Sequence, residues 1–210
     1  MYQPPEKNCQ LCPRLVAFRR ENTDKFPDQF NGAVPSFGAL EATLLVVGLA
    51  PGLKGANFSG RPFTGDYAGD ILYPALLKHG LAKGEFGAHK DDGLELVGTR
   101  ITNAVRCVPP QNKPVGQEMT MCRDFLKDEI AHMPNLKAIL SLGRIAHEAV
   151  VKCFGQKPKD FVFKHSAKHQ IAPNIKLFNT YHTSRYNVNT RRLTVEMFDE
   201  IIAQLKKSLS

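Results

Sequence analysis

The chain has 210 residues, 42% of them hydrophobic and 9% aromatic, which suits one folded α/β domain with a sizeable core and excludes a disordered chain. The first residues are polar and no apolar run is long enough to cross a membrane, so the cytoplasm is the expected setting, with no membrane partner. There the five cysteines, an odd number, do not read as a disulfide framework. The formal net charge is +8, and residues 152–192 hold nine Lys or Arg against one acid, Asp160, leaving the rest of the chain close to neutral. Such a one-sided basic segment is the footprint of a polyanionic partner; a solvated basic face without a partner is the alternative.

In chain order, the apolar run 43–47 ends at Gly48 and predicts a buried parallel strand. A glycine-rich loop follows, then a helix over 66–79 with Ile71, Leu72, Ala75 and Leu76 on one face. Residues 83–96 are polar and read as loop, and 100–105 as the second strand. Pro109-Pro110 delays the next helix to about 115, from which it runs to 133. The third strand is 137–142, followed by a helix over 145–154; the fourth is 176–181, followed by a last helix over 189–208. Four strands alternating with helices predict a three-layer α/β/α sandwich with a central four-stranded parallel sheet. Ligands of such sheets sit beyond the carboxyl ends of the strands, so the residues at those ends are the candidates for chemistry.

Gly48-Leu49-Ala50-Pro51-Gly52 follows the first strand; it is neither a Walker loop nor GxGxxG, but glycine there lets backbone N–H groups approach a ligand. Phe63, within Gly60-Arg61-Pro62-Phe63-Thr64-Gly65-Asp66, reads either as a stacking platform for a flat base or as core. Asp66 stands where a helix N-cap is expected. Asn103 sits at the end of the second strand, where a side-by-side donor and acceptor suits the imide edge of a pyrimidine, or else bonds a neighbouring loop. His182, in Tyr181-His182-Thr183-Ser184-Arg185-Tyr186-Asn187, reads as part of a ligand loop able to donate to a leaving group. Cys9 and Cys12 form C-x2-C, and Cys107 and Cys122 form C-x14-C. All-thiolate ligation by these four suits a 4Fe–4S cluster or, less well, zinc, and would clamp the N-terminal arm to the body; two pairs of buried free thiols are the alternative. Cys153 reads as plain core.

Taken together, Cys9-x2-Cys12, the 48–52 turn, the 60–66 run, Ile101-Thr102-Asn103-Ala104-Val105-Arg106-Cys107-Val108-Pro109-Pro110-Gln111-Asn112-Lys113-Pro114, Cys122 and His182-Thr183-Ser184 resemble the uracil-DNA glycosylase superfamily, in its iron–sulfur branches and within them family 5 (type b). The resemblance implies that Cys9, Cys12, Cys107 and Cys122 ligate a structural 4Fe–4S cluster. It also implies that Phe63 stacks on the flipped base, Asn103 reads uracil and His182 supports the departing base, with Gly48, Leu49 and Ala50 lining the substrate pocket. Ala50 stands where other branches carry an acid or amide that handles water; Asp66 is the substitute candidate. The loop carrying Ser184, Arg185, Tyr186 and Asn187, with Arg191 beyond it, would enter DNA. Two departures stand out: the usual His-Pro-Ser reads His-Thr-Ser, and Arg185-Tyr186 replaces the apolar wedge. The implied protein is a monofunctional DNA glycosylase, a monomer, acting on uracil-containing DNA and on other deaminated bases. The alternatives from other classes are an iron–sulfur electron-transfer or redox-sensing protein and a noncatalytic damage-binding module.

Overall fold

The sheet forms from short runs that are buried on both faces, so their side chains need no polar alternation. A computed structural model describes residues 1–209. In chain order its elements are α1 (Pro13–Lys25), β1 (Leu44–Gly48), the single turn α2 (Ala56–Ser59), α3 (Tyr67–Lys78), β2 (Ala82–Lys83), β3 (Glu95–Leu96), β4 (Thr99–Asn103), α4 (Gly116–Ala131), β5 (Ala138–Leu142), α5 (Arg144–Cys153), β6 (Lys168–Ala172), β7 (Ile175–Thr180), α6 (Arg185–Asn189) and α7 (Val195–Leu209). The main sheet runs in the order β4-β1-β5-β7-β6. The first four strands of that order are parallel, and β6 pairs with β7 antiparallel.

Alternation along β1 separates the two faces. Leu44 and Val46 join the core that also holds Leu72 and Leu76 of α3 and Phe198, Ile201 and Ile202 of α7. Leu45 and Val47 join the core that holds Leu126 of α4 and Ala149 and Val150 of α5. The result is the expected α/β/α sandwich with four parallel strands. All four expected strands are present within one or two residues, and β4 closes at Asn103, not at 105. The next two amides, Ala104 and Val105, donate to the carbonyls of Gly48 and Leu49 (both 2.9 Å), which ties the β4 exit to the β1 turn.

The structure corrects the sequence reading in four places. A fifth strand, β6, covers the sheet edge; with Lys168, His169 and Gln170 in it and only Ile171 buried, it lacks a buried strand's pattern. Helix α1 was not anticipated, because its inward face includes Arg19 and Asn22 beside Leu15 and Val16. The loop over 83–96 contains the small antiparallel pair β2–β3. The last helix is two helices, interrupted where Arg191 takes φ 56.

Candidate active site

Register places the first two candidates side by side: Gly48, the last residue of β1, is paired with Asn103, the last of β4. A Cβ at position 48 would lie 2.4 Å from Asn103 Oδ1 and 2.5 Å from Phe63 Cζ, so only glycine lets both side chains converge there. Phe63 has φ 53, a left-handed conformation that costs a bulky residue about 1–3 kcal/mol and must be held by its surroundings. The restraints are visible. Arg61 Nε donates to Thr64 Oγ1 at 2.7 Å, and the same guanidinium forms a two-pronged pair with Asp92 at 2.8 and 2.7 Å. Both partners are buried, at 6% and 2% side-chain exposure, and the Arg61 hydrogen bonds hold the Asp92 carboxyl well below the usual range. Tyr73 Oη donates to the Pro62 carbonyl at 2.5 Å, and a Cβ at Gly69 would sit 1.9 Å from the Phe63 carbonyl oxygen.

His182 follows β7, and its ring centroid lies 6.1 Å from that of Phe63. Burial pushes its imidazole down to about 4, so the ring is neutral near pH 7. The loop after it is fastened to α3 and to itself. The fully buried Thr183 donates from Oγ1 to the Ala68 carbonyl (3.3 Å), Asn187 Nδ2 donates to the His182 carbonyl (2.8 Å), and Ser184 caps α6. Asp66 is the expected N-cap of α3 and also packs against the turn at Gly55. Its Oδ1 accepts from the Gly69 amide at 3.2 Å, capping α3, while a Cβ at Gly55 would lie 2.4 Å from Oδ2. Burial raises its carboxyl above the usual range despite those backbone hydrogen bonds.

These residues surround one cavity of about 420 Å³. Leu49, Ala50, Phe63, Asp66, Asn103 and His182 line it, and Ser184 and Arg185 stand on its rim, with the Arg185 guanidinium 5.3 Å from the Tyr67 ring centroid. Gly48 lies directly beneath, through its contacts with Asn103 and Phe63. The strand-end expectation therefore gathers its candidates in one place. Asn187 lines the neighbouring groove, which shares Leu49 and His182 with the cavity. Tyr186 projects outward, 72% exposed, and Arg191 is exposed and away from the cavity lining. All nine cations of the 152–192 segment are exposed. Lining residues that were not anticipated as site residues include Tyr67 and Asn112. Gln111 and Asn112 both have φ 56; Pro109-Pro110 with an asparagine two residues on, a non-glycine type that tolerates that region, was the available signal.

The four paired cysteines meet elsewhere. Cys9, Cys12, Cys107 and Cys122 line one small apolar pocket with Leu15, Val16 and Ala33, and all are free thiols. Burial pushes the Cys107 thiol up to about 12 and that of Cys12 to about 11, and neighbouring thiols add to both shifts. Arg19 Nη1 lies 3.6 Å from Cys107 Sγ, and its Nη2 donates to the Cys9 carbonyl at 2.9 Å. Among the described residues, no group of three His, Cys, Asp or Glu side chains is spaced to hold a single metal ion. Cys153 lies apart, in the core under α5.

The chain matches the Uracil DNA glycosylase superfamily over residues 35–206. It is 42% identical over 205 residues to the Type-5 uracil-DNA glycosylase of Thermus thermophilus, covering 95% of this chain and 93% of that protein. It is 38% identical over 201 residues to a Type-5 uracil-DNA glycosylase of Pyrobaculum aerophilum, covering 93% and 86%. To a Type-4 uracil-DNA glycosylase of Sulfurisphaera tokodaii it is 33% identical over 181 residues, covering 80% and 73%. With matches that span most of its length and a sheet that carries the cavity at its strand ends, this chain belongs to the uracil DNA glycosylase superfamily.

Proposed function

We propose that this chain is a monofunctional uracil-DNA glycosylase of the type-5 kind, a hydrolase that breaks the N-glycosidic bond of uracil in DNA and leaves an abasic site for base excision repair. The observation that carries this reading is the convergence of Phe63, Asn103 and His182, from three separate segments, on one cavity.

The target nucleotide leaves the duplex, at a cost of a few kcal/mol that is smallest for mispaired or unpaired bases. Its base enters against Phe63, and the Asn103 amide pairs with the imide edge. As the bond to deoxyribose stretches, negative charge grows on the base. The neutral His182 imidazole donates a hydrogen bond to it, aided by the backbone around Leu49 and Ala50. Ala50 offers no group to water, so Asp66 is the carboxylate that orients the attacking water, and its raised affinity for a proton favours that role. No lysine lines the cavity among the described residues, which supports hydrolysis without strand cleavage.

Exposed cations of the 152–192 segment hold phosphates, so binding weakens with salt. Arg185 and Tyr186 fill the gap left in the duplex, and Ser184, Asn187 and Arg191 support that loop on DNA. Other deaminated or damaged bases, including hypoxanthine and hydroxymethyluracil, are further substrates. The cavity is complete within one chain, so a monomer suffices, and the cytoplasm keeps the thiols reduced.

The donors of the sulfur-lined pocket are all thiols, from an arm and two body segments, which suits an iron–sulfur cluster better than zinc. Cys9, Cys12, Cys107 and Cys122 would hold a 4Fe–4S cluster, which supplies a structural cross-link between the arm and the body and takes no part in bond breaking. The test is incubation with a uracil-containing oligonucleotide followed by alkali. Breakage at uracil only after alkali supports the reading. An intact strand rejects it in favour of a redox protein or a damage-binding module, and breakage before alkali rejects monofunctional hydrolysis.

A further inference from the structure

We propose that Arg14 is a positioning residue that couples the sulfur-lined arm to the rim of the base cavity. The inference rests on the glycosylase reading for its consequence, and on the following contacts for its geometry. Arg14 follows Cys12 by two residues, in the first turn of α1. Its Nε and Nη2 donate to Glu118 Oε1 and Oε2 at 2.7 and 2.8 Å, and Nη2 also donates to the Lys113 carbonyl at 3.0 Å. Glu118, whose side chain is 4% exposed, accepts in turn from the Val115 amide at 2.8 Å. One guanidinium therefore fastens the loop at residue 113 directly and at residue 115 through Glu118.

Immediately before these anchors, Gln111 and Asn112 are both left-handed, a conformation that Asn tolerates but that must be held at Gln111 by its surroundings. Asn112 lines the base cavity. The segment that carries it leaves the sulfur pocket at Cys107 and returns to it at Cys122. Both of its ends belong to the pocket, its middle is gripped by Arg14, and its apex reaches the site. The arm is itself fixed, since Arg19 holds the Cys9 carbonyl and the Ala33 amide donates to the Lys7 carbonyl at 2.9 Å. Docking the arm thus sets where Asn112 stands.

The bland reading is an ion pair at the surface, since Arg14 is 41% exposed, and such pairs contribute little to stability. The two readings separate in Arg14→Gln. Positioning predicts a roughly tenfold to hundredfold slower single-turnover excision of uracil, the range expected when a site group is misplaced by about 1 Å. Amide hydrogen exchange should accelerate over residues 111–115 and stay at wild-type protection within α1. Arg14→Lys, which can keep one bond, should recover part of the rate, and Glu118→Gln should match Arg14→Gln. An unchanged rate in Arg14→Gln overturns the proposal. So does loss of protection throughout α1, because the residue would then merely hold the arm on. If wild-type protein leaves uracil in place, the glycosylase reading is what has failed, and the exchange pattern still decides whether Arg14 orders the loop.

Discussion

The strand-end cavity and the sulfur-lined pocket draw on one short stretch of chain, Asn103 lining the first and Cys107 the second, and they are built by opposite means. The cavity is an outcome of the sheet. Parallel strands end together, Gly48 leaves room beside Asn103 at the end of β4, and the chain after β1 and β7 brings Phe63, Asp66 and His182 to the same edge. It is open and mixed in character, with aromatic, amide, imidazole and carboxylate groups. The sulfur pocket lies outside the sheet and exists only where an N-terminal arm meets the start of α4 and the chain leaving β4. It is small and apolar, and burial raises the Cys12 and Cys107 thiols above the ordinary range. Changes in the first region should therefore alter chemistry with little loss of fold, and changes in the second should loosen the arm and reach chemistry only through the rim.

The largest separation is expected from the strand ends. Asn103→Ala and His182→Ala should each slow single-turnover excision by about 100-fold or more, the usual consequence of deleting a preorganised donor. Binding to abasic DNA and the melting temperature should stay near wild type. A wild-type rate in either variant removes that residue from the mechanism. Cys107→Ser and Cys122→Ser should show the reverse balance: a lowered melting temperature and loss of the visible absorbance of an iron–sulfur cluster, with a smaller fall in rate. Retained absorbance in both would rule these cysteines out as ligands of the proposed cluster.

Asp66 sharpens the comparison because it belongs to both categories. Asp66→Ala removes a helix cap worth about 1 kcal/mol and also the carboxylate facing the cavity. Asp66→Asn keeps an acceptor for the Gly69 amide, so it should recover the melting temperature without recovering the rate; recovery of both would leave Asp66 a cap alone. The smallest effect is on pH dependence. His182 is held from the ordinary 6.5 down to about 4 by burial, so the rate should show no inflection near 6.5 from this group. The unfolded chain takes up that proton more readily, so His182 makes the fold less stable as pH falls from 6.5 toward 4, and has no effect above. A His182-dependent inflection near 6.5 would show the ring to be solvated.

Much of this arrangement is legible from residue order because parallel strands buried on both faces must be continuous apolar runs, as β1 and β5 are. Their carboxyl ends then locate the cavity without knowledge of any side-chain contact. The cysteine spacing likewise singles out the arm. What escapes is structure whose cause lies far along the chain or in the backbone. The buried partner of Arg61 is Asp92, 31 residues away in a stretch that reads as polar loop. Asn112 enters the cavity through a left-handed backbone that no periodicity reveals. Helix α1 buries Arg19, whose reason for being inside is the sulfur pocket, and β6 is an edge strand with one buried side chain.

The central claim is that the strand-end cavity receives the extruded base, and a crystal structure with abasic product DNA and free uracil tests it most directly. The account predicts the pyrimidine ring against Phe63, its imide edge on the Asn103 amide and an oxygen within hydrogen-bonding reach of His182. Uracil seated anywhere else, or a cavity turned away from the bound DNA, would contradict it.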